Sequence, residues 1–224
     1  MPKGKLIVLE GIDGSGKSSQ YKLLCERMKS DGIDYNHIVF PRYWEPSCAL
    51  INLYLQGKFG SDPNDVNAYT ASTFYAVDRF ASYRDDWGEK YENGALNISD
   101  RYTSSNAVHQ GSKLPESELP AFFTWLADLE YDKMELPKPD LVIYLDVDIE
   151  TSLARMKRRR DATDTKADIH ESNVDYLVRC LRTADIAADY FGWTRIKQKN
   201  GDVERSMEDI NDEIYAAVRT VLDK

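Results

Sequence analysis

Residues Glu10-Gly11-Ile12-Asp13-Gly14-Ser15-Gly16-Lys17-Ser18 place three glycines, a lysine and a hydroxyl within nine positions, directly after the apolar run Leu6-Ile7-Val8-Leu9. This spacing suits phosphate chemistry. Backbone that curls without Cβ atoms can turn successive N–H groups onto phosphate oxygens. Lys17 adds a positive charge near the β- and γ-phosphates, and the Ser18 hydroxyl is a ligand for Mg²⁺. From Ser18 and Ser19 onward, Tyr21, Leu24 and Met28 recur at helical spacing, so a helix N-terminus with its partial positive charge faces the same anion. The pattern is that of a P-loop.

A second group of chemically able residues is Asp100-Arg101-Tyr102, at the end of the apolar segment around Ile98. A carboxylate there can hold Mg²⁺-bound water, and a guanidinium can clamp a phosphate through two parallel hydrogen bonds. The third is the basic run Arg155-Met156-Lys157-Arg158-Arg159-Arg160, followed by the polar stretch 161–168. By itself such a run reads as a solvated helix face or a nucleic-acid patch.

The elements that must position these groups follow from hydrophobic period. Strand-like runs at Lys5–Glu10, Tyr35–Phe40, Ala95–Ser99, Asp140–Asp146 and Thr194–Lys197 alternate with helical patterns at Ser19–Ser30, Ala71–Trp87, Leu119–Tyr131, Thr151–Arg160, Ser172–Phe191 and Met207–Leu222. That alternation predicts an α/β fold with a mainly parallel five-stranded sheet flanked by helices. Ligands of such sheets sit beyond the carboxyl ends of the strands, which directs attention to 13–18, 41–43, 100–102 and 146–148. Phe122, Phe123, Trp125 and Leu126 are expected to be core, Asp148 and Glu150 to start a helix, and the stretch from Leu53 to Asn67, with Gly57, Gly60 and Pro63, to be a loop. Ser206 and Asp209 carry a capping-box pattern.

Composition bounds the function. A chain of 224 residues supports one sizeable core, read here as one domain over 1–224. A net charge of −9 argues against nucleic acid as a standing partner. The three cysteines, Cys25, Cys48 and Cys180, form neither a disulfide framework nor a zinc pattern, which predicts a cytoplasmic setting. No apolar run reaches the roughly 20 residues of a bilayer span, so no membrane association is expected.

Four blocks together resemble one family. Glu10–Ser18, Phe40-Pro41-Arg42-Tyr43, Tyr75-Ala76-Val77-Asp78-Arg79 and Asp100-Arg101-Tyr102-Thr103-Ser104-Ser105-Asn106-Ala107-Val108-His109-Gln110-Gly111 occur in the order and rough spacing of the thymidylate kinases, P-loop nucleoside monophosphate kinases that make dTDP from dTMP. The resemblance implies the three-layer P-loop NTPase fold with a short mobile lid at about 155–171, ATP as co-substrate, Mg²⁺ and a homodimer. It places Gly11, Ile12, Asp13, Gly14, Ser15, Gly16, Lys17, Ser18 and Ser19 around ATP, with Ser18 and Asp100 on the metal. Asp13 falls near the acceptor sugar and phosphate, Arg42 and Arg101 grip that phosphate, and Phe40 and Tyr43 are further substrate-binding residues. Tyr75 is expected to stack on the base, and Arg79, Ser105, Asn106 and Gln110 to line it. Asp168 and Glu171 match acidic residues that follow the lid near the acceptor.

Two departures matter. Gly14 occupies the slot where some members carry a catalytic arginine, so positive charge during transfer must come from the lid, with Arg155, Arg158, Arg159 and Arg160 as candidates beside Lys17 and Arg101; the carboxylate of Asp13 completes the catalytic set that the resemblance implies. His109 stands where the family usually has Tyr or Phe near the sugar, which bears on selection against a 2′-hydroxyl; Tyr75 for Phe is a milder change. Two rival readings are a deoxynucleoside kinase, disfavoured by Arg42 with Arg101, and a non-catalytic nucleotide-binding regulator, which has no use for a charged lid.

Overall fold

The computed structural model describes residues 3–163 and 174–223, with backbone only at 159, 160, 162 and 163. In chain order the elements are β1 (Lys5–Glu10), α1 (Lys17–Ser30), β2 (Asn36–Val39), α2 (Ala49–Leu55), α3 (Ala68–Ser82), α4 (Gly88–Glu92), β3 (Leu96–Asp100), α5 (Thr103–His109), α6 (Leu119–Ala127), β4 (Leu141–Asp146), α7 (Ile149–Thr163), α8 (Val174–Phe191), β5 (Thr194–Lys197), a hairpin of β6 (Lys199–Asn200) and β7 (Val203–Glu204), and α9 (Met207–Leu222). The five main strands are all parallel in the order β2-β3-β1-β4-β5. This agrees with the α/β architecture expected from the alternating pattern.

The central strand shows why the sheet is buried on both faces. Leu6, Ile7, Val8 and Leu9 are all fully buried. Alternate residues serve opposite layers: Ile7 and Leu9 pack with Tyr21, Leu24 and Met28 of α1 and Ile210, Ile214 and Val218 of α9. Leu6 and Val8 pack with Ile38, Phe40, Trp87 and Tyr102 on the other side. A period of two with apolar residues on both sets is the signature of a strand sandwiched between helical layers.

β1 is flanked by β3 on one side and β4 on the other, and Leu9 pairs in register with Asp100. The carboxyl ends of β1 and β3 therefore lie side by side, where the crossovers change direction and ligands of open α/β sheets sit.

Several expectations are refined. Residues 53–67 are not one loop: α2 runs to Leu55, and Pro63–Asp65 forms a 3₁₀ turn capped by Asp62. α5 arises from Thr-Ser-Ser-Asn, poor helix formers, because six of its seven residues are buried and packing overrides propensity. α3 and α6 each continue into a π turn, at Tyr83–Trp87 and Asp128–Lys133. Phe122, Phe123 and Leu126 are core, and Asp148 caps α7 by accepting the Thr151 N–H at 2.9 Å. Ser206 accepts from the Asp209 N–H at 3.0 Å, a one-sided cap.

Candidate active site

The phosphate-binding turn is built by backbone that few other sequences could supply. Gly14 and Gly16 have φ of 77° and 78°, the left-handed region. A Cβ on Gly14 would stand 2.4 Å from the Ser152 carbonyl oxygen, while the Ser152 hydroxyl donates to the Asp13 carbonyl at 2.7 Å. α1 begins at Lys17 with Gly16 as its cap and no side-chain acceptor on its first N–H groups. Those donors are open to an anion.

Two clefts open from this turn. The larger, about 610 Å³, is lined by 12–20 together with Arg101, Arg155, Arg158, Gln198, Glu204, Arg205 and Met207. The smaller, about 360 Å³, is lined by Phe40, Tyr43, Trp44, Tyr75, Arg79, Asp100, Ser105, Asn106, His109 and Gln110. Asp13, Lys17, Ser18 and Arg101 line both. Two ligands can thus meet at these four residues.

The cations at that junction are held by carboxylates. Lys17, buried at the start of α1, pairs with Asp100. Burial, and then repulsion from Arg101, lowers its pKa. Arg101 donates to Asp13 at 2.7 Å and lies 3.7 Å from Glu10. Burial alone would lower its pKa, but the carboxylates, Asp13 and Glu10 foremost, raise it. Its φ of 68° is rare for a residue with a Cβ.

Arg101 also contacts His109 Nε2 at 3.0 Å. A guanidinium can only donate, so Nε2 is the acceptor and the ring proton sits on Nδ1, 3.6 Å from the Cys180 sulfur. Burial and the neighbouring Arg101 push the His109 pKa down to about 4, so the imidazole is neutral at pH 7.

The remaining residues expected at the site are placed as follows. Tyr75 is half-buried in the smaller cleft. Arg42 is clasped by Asp78, with N and Nε donating at 3.0 and 3.2 Å, and by Ser47; it lines neither cleft. Arg79 is buried against Glu130, and Ser105 donates to Glu10 at 2.7 Å. Gln110 is buried with its Oε1 unpartnered in the wall of the smaller cleft. Arg155 donates to Gln198 and, at 3.1 Å, to Glu204. Arg158 is exposed at the larger cleft. The side chains of Arg159 and Arg160, and all of Asp168 and Glu171, lie outside the described residues.

Sequence reasoning did not find Glu10 as a hub. It is fully buried and accepts from Gly11 N at 2.9 Å, Ser104 at 2.6 Å and Ser105 at 2.7 Å. A carboxylate ending an apolar strand was the available signal. Nor did it find Gln198, whose amide donates to the Ser15 carbonyl and accepts from Arg155, stitching the segment before the β6–β7 hairpin to the P-loop.

A family model described as thymidylate kinase matches residues 9–214. The chain belongs to the thymidylate kinase family. It is 30% identical over 193 residues to a thymidylate kinase of Mycobacterium tuberculosis, covering 84% of this chain and 87% of that one. With a thymidylate kinase of Halothermothrix orenii it shares 30% identity over 226 residues, covering 99% and 100% of the two chains. With one of Plasmodium falciparum it shares 27% over 219 residues, covering 98% and 91%. Within this family the two clefts correspond in number to the two nucleotides that a nucleoside monophosphate kinase must bring together. No helix among the described residues is long and apolar enough to cross a membrane.

Proposed function

We propose that this protein transfers the γ-phosphoryl group of Mg-ATP to dTMP, giving dTDP, with ATP in the larger cleft and dTMP in the smaller. The observation that carries this reading is the junction: Asp13, Lys17, Ser18 and Arg101 line both clefts, so donor and acceptor phosphates can be in line there. An acceptor phosphate oxygen then attacks the γ-phosphorus as the bond to the ADP oxygen breaks. No covalent enzyme intermediate is needed, and the protein contributes positioning and charge.

Lys17 and Arg101 are the described cations nearest that junction. Both are buried or nearly so, which strengthens their effect on charge that spreads over the phosphoryl oxygens. Arg155 and Arg158, on the donor side, are the described members of the basic run that reach the cleft. Arg159 and Arg160 remain candidates from the same helix. On the acceptor side, Tyr75 lines the cleft as the aromatic residue for the base, and Arg79, Asn106 and Gln110 line it with polar groups for the base edge. Arg42, Phe40, Tyr43, Asp168 and Glu171 complete the proposed acceptor set.

The residues fit Mg²⁺. Ser18 and Asp100 line one cleft and offer a hydroxyl and a carboxylate oxygen there, and Mg²⁺ characteristically takes one or two protein oxygens with phosphates and waters. When bound, it would neutralise charge on the donor phosphates. We further place the protein in the cytoplasm as a homodimer. Exposed Leu50 and Leu53 on α2, with Val77 and Phe80 one turn apart on α3, support a second copy as occupant; sedimentation at micromolar concentration checks it.

The test is ADP release from Mg-ATP with dTMP, dUMP, ribosyl TMP or thymidine offered separately. Strong preference for dTMP is expected. Turnover with thymidine alone would instead make the protein a nucleoside kinase, and nucleotide binding with turnover of none would make it a regulator.

A further inference from the structure

Glu130 belongs to no motif and lines neither cleft, yet the acceptor wall is organised around it. It lies in the π turn that extends α6, a geometry that recurs at functional sites, and its side chain is fully buried. Four donors converge on its carboxylate: Arg79 Nε at 2.6 Å and Nη2 at 2.5 Å, Thr103 Oγ1 at 2.7 Å, and Asn106 Nδ2 at 3.4 Å. That number fills the acceptor capacity of a carboxylate.

The consequence is a defined pattern at the cleft. Arg79 has five N–H bonds. Two go to Glu130 and one, from Nη1, to the Tyr102 carbonyl at 3.4 Å, which leaves one on each terminal nitrogen for the cleft that Arg79 lines. The Asn106 amide nitrogen spends its hydrogens on Ser72 O at 3.1 Å and on Glu130. Both partners are acceptors, so the amide cannot be flipped, and Oδ1 is the atom left for the cleft. The wall therefore offers donors from Arg79 beside an acceptor from Asn106. A pyrimidine with a C4 carbonyl next to an N3–H matches it; cytosine, with an amino group and a bare N3, presents the reverse.

We propose that Glu130 is the positioning residue that sets this donor–acceptor pattern and so makes the acceptor site prefer keto over amino pyrimidines. The proposal rests on reading the smaller cleft as the dTMP site. It differs from a role in folding alone, because only the pattern bears on which base is accepted.

The experiment compares dTMP and dCMP binding by titration calorimetry, with KM for both nucleotides, in the unaltered protein and in Glu130→Gln, Glu130→Asp and Thr103→Val. Glu130→Gln should narrow the dTMP-over-dCMP preference by about tenfold or more, through weaker dTMP binding, with KM for ATP unchanged. Glu130→Asp should recover part of the preference. Thr103→Val removes one neutral donor and unpairs no charge, so it should fold and narrow the preference about threefold; it decides the matter if Glu130→Gln does not fold. An unchanged preference in folded variants, or equal weakening towards both pyrimidines and ATP, overturns the proposal. Absence of dTMP kinase activity in the unaltered protein would instead overturn the reading of the cleft.

Discussion

Replacing His109 with Gln should change how the stability of this protein depends on pH, by an amount the structure supplies. His109 is buried between Arg101 and Cys180, with Asp13, Glu10, Lys17 and Tyr176 as the other charged or titratable groups facing it, and its pKa is held at about 4 against an ordinary 6.5. The unfolded chain binds a proton near 6.5, whereas the folded chain resists it until about 4. Between those values the unfolded state carries more protons, so lowering the pH destabilises the fold. The neutral ring's contribution is intact above about 6.5 and is lost as pH falls towards 4. Between pH 7 and pH 5 the loss from this one group is about 2 kcal/mol. Gln carries a carbonyl oxygen near the place of Nε2, so it can accept from Arg101 without titrating. Urea unfolding at pH 7 and pH 5, at fixed protein concentration, should therefore show the unaltered protein losing about 2 kcal/mol more than His109→Gln. Parallel losses in the two proteins would refute the buried, neutral acceptor role given to the imidazole.

Arg101→Ala should cut turnover by about a hundredfold or more and raise KM for dTMP, since a cation shared by both clefts is removed; steady-state kinetics at saturating ATP reads both. Gly14→Ala puts a Cβ 2.4 Å from the Ser152 carbonyl at a φ of 77°, and should lower stability by roughly 1–3 kcal/mol and weaken ATP binding more than dTMP binding, measured by melting and by calorimetry. Lys17→Met should leave the fold intact, since a neutral chain of similar length suits the buried site, while reducing turnover by about a hundredfold or more.

What could be read before the structure was whatever depends on neighbours in sequence. The P-loop is legible because nine consecutive residues carry its backbone and its charge, and β1 because Leu6 to Leu9 is apolar at every position. Arg101 was legible as a residue at a strand end. α5 was not, because Thr103 to Asn106 gain helix only by being buried among α3, α6 and α8. The hidden part of the site is made by partners far apart in the chain: Gln198 reaches Ser15 across 183 positions, Arg155 reaches Gln198 across 43, and Arg79 reaches Glu130 across 51. No periodicity encodes such pairs. Arg42 shows the converse, since its motif is local, but its Asp78 clasp comes from the middle of α3.

The carboxylates that hold these cations fall into two physical classes, and the difference accounts for how an acidic chain can take two anionic nucleotides. Glu130 and Asp78 have side chains 0% and 1% exposed, so the arginines they hold stay oriented whether or not a ligand is present; separating either pair would strand a buried charge. Asp100 and Asp13 are 16% and 22% exposed and line the clefts themselves. A phosphate arriving beside Lys17 and Arg101 can therefore exchange places with carboxylates that water or a hydrated cation can take up. Of the buried pairs, Arg79–Glu130 fixes a guanidinium in the wall of the smaller cleft, whereas the accessible pairs at Lys17 and Arg101 can yield to phosphate. Screening over about 8–10 Å attenuates the field that the acidic surface projects onto the junction.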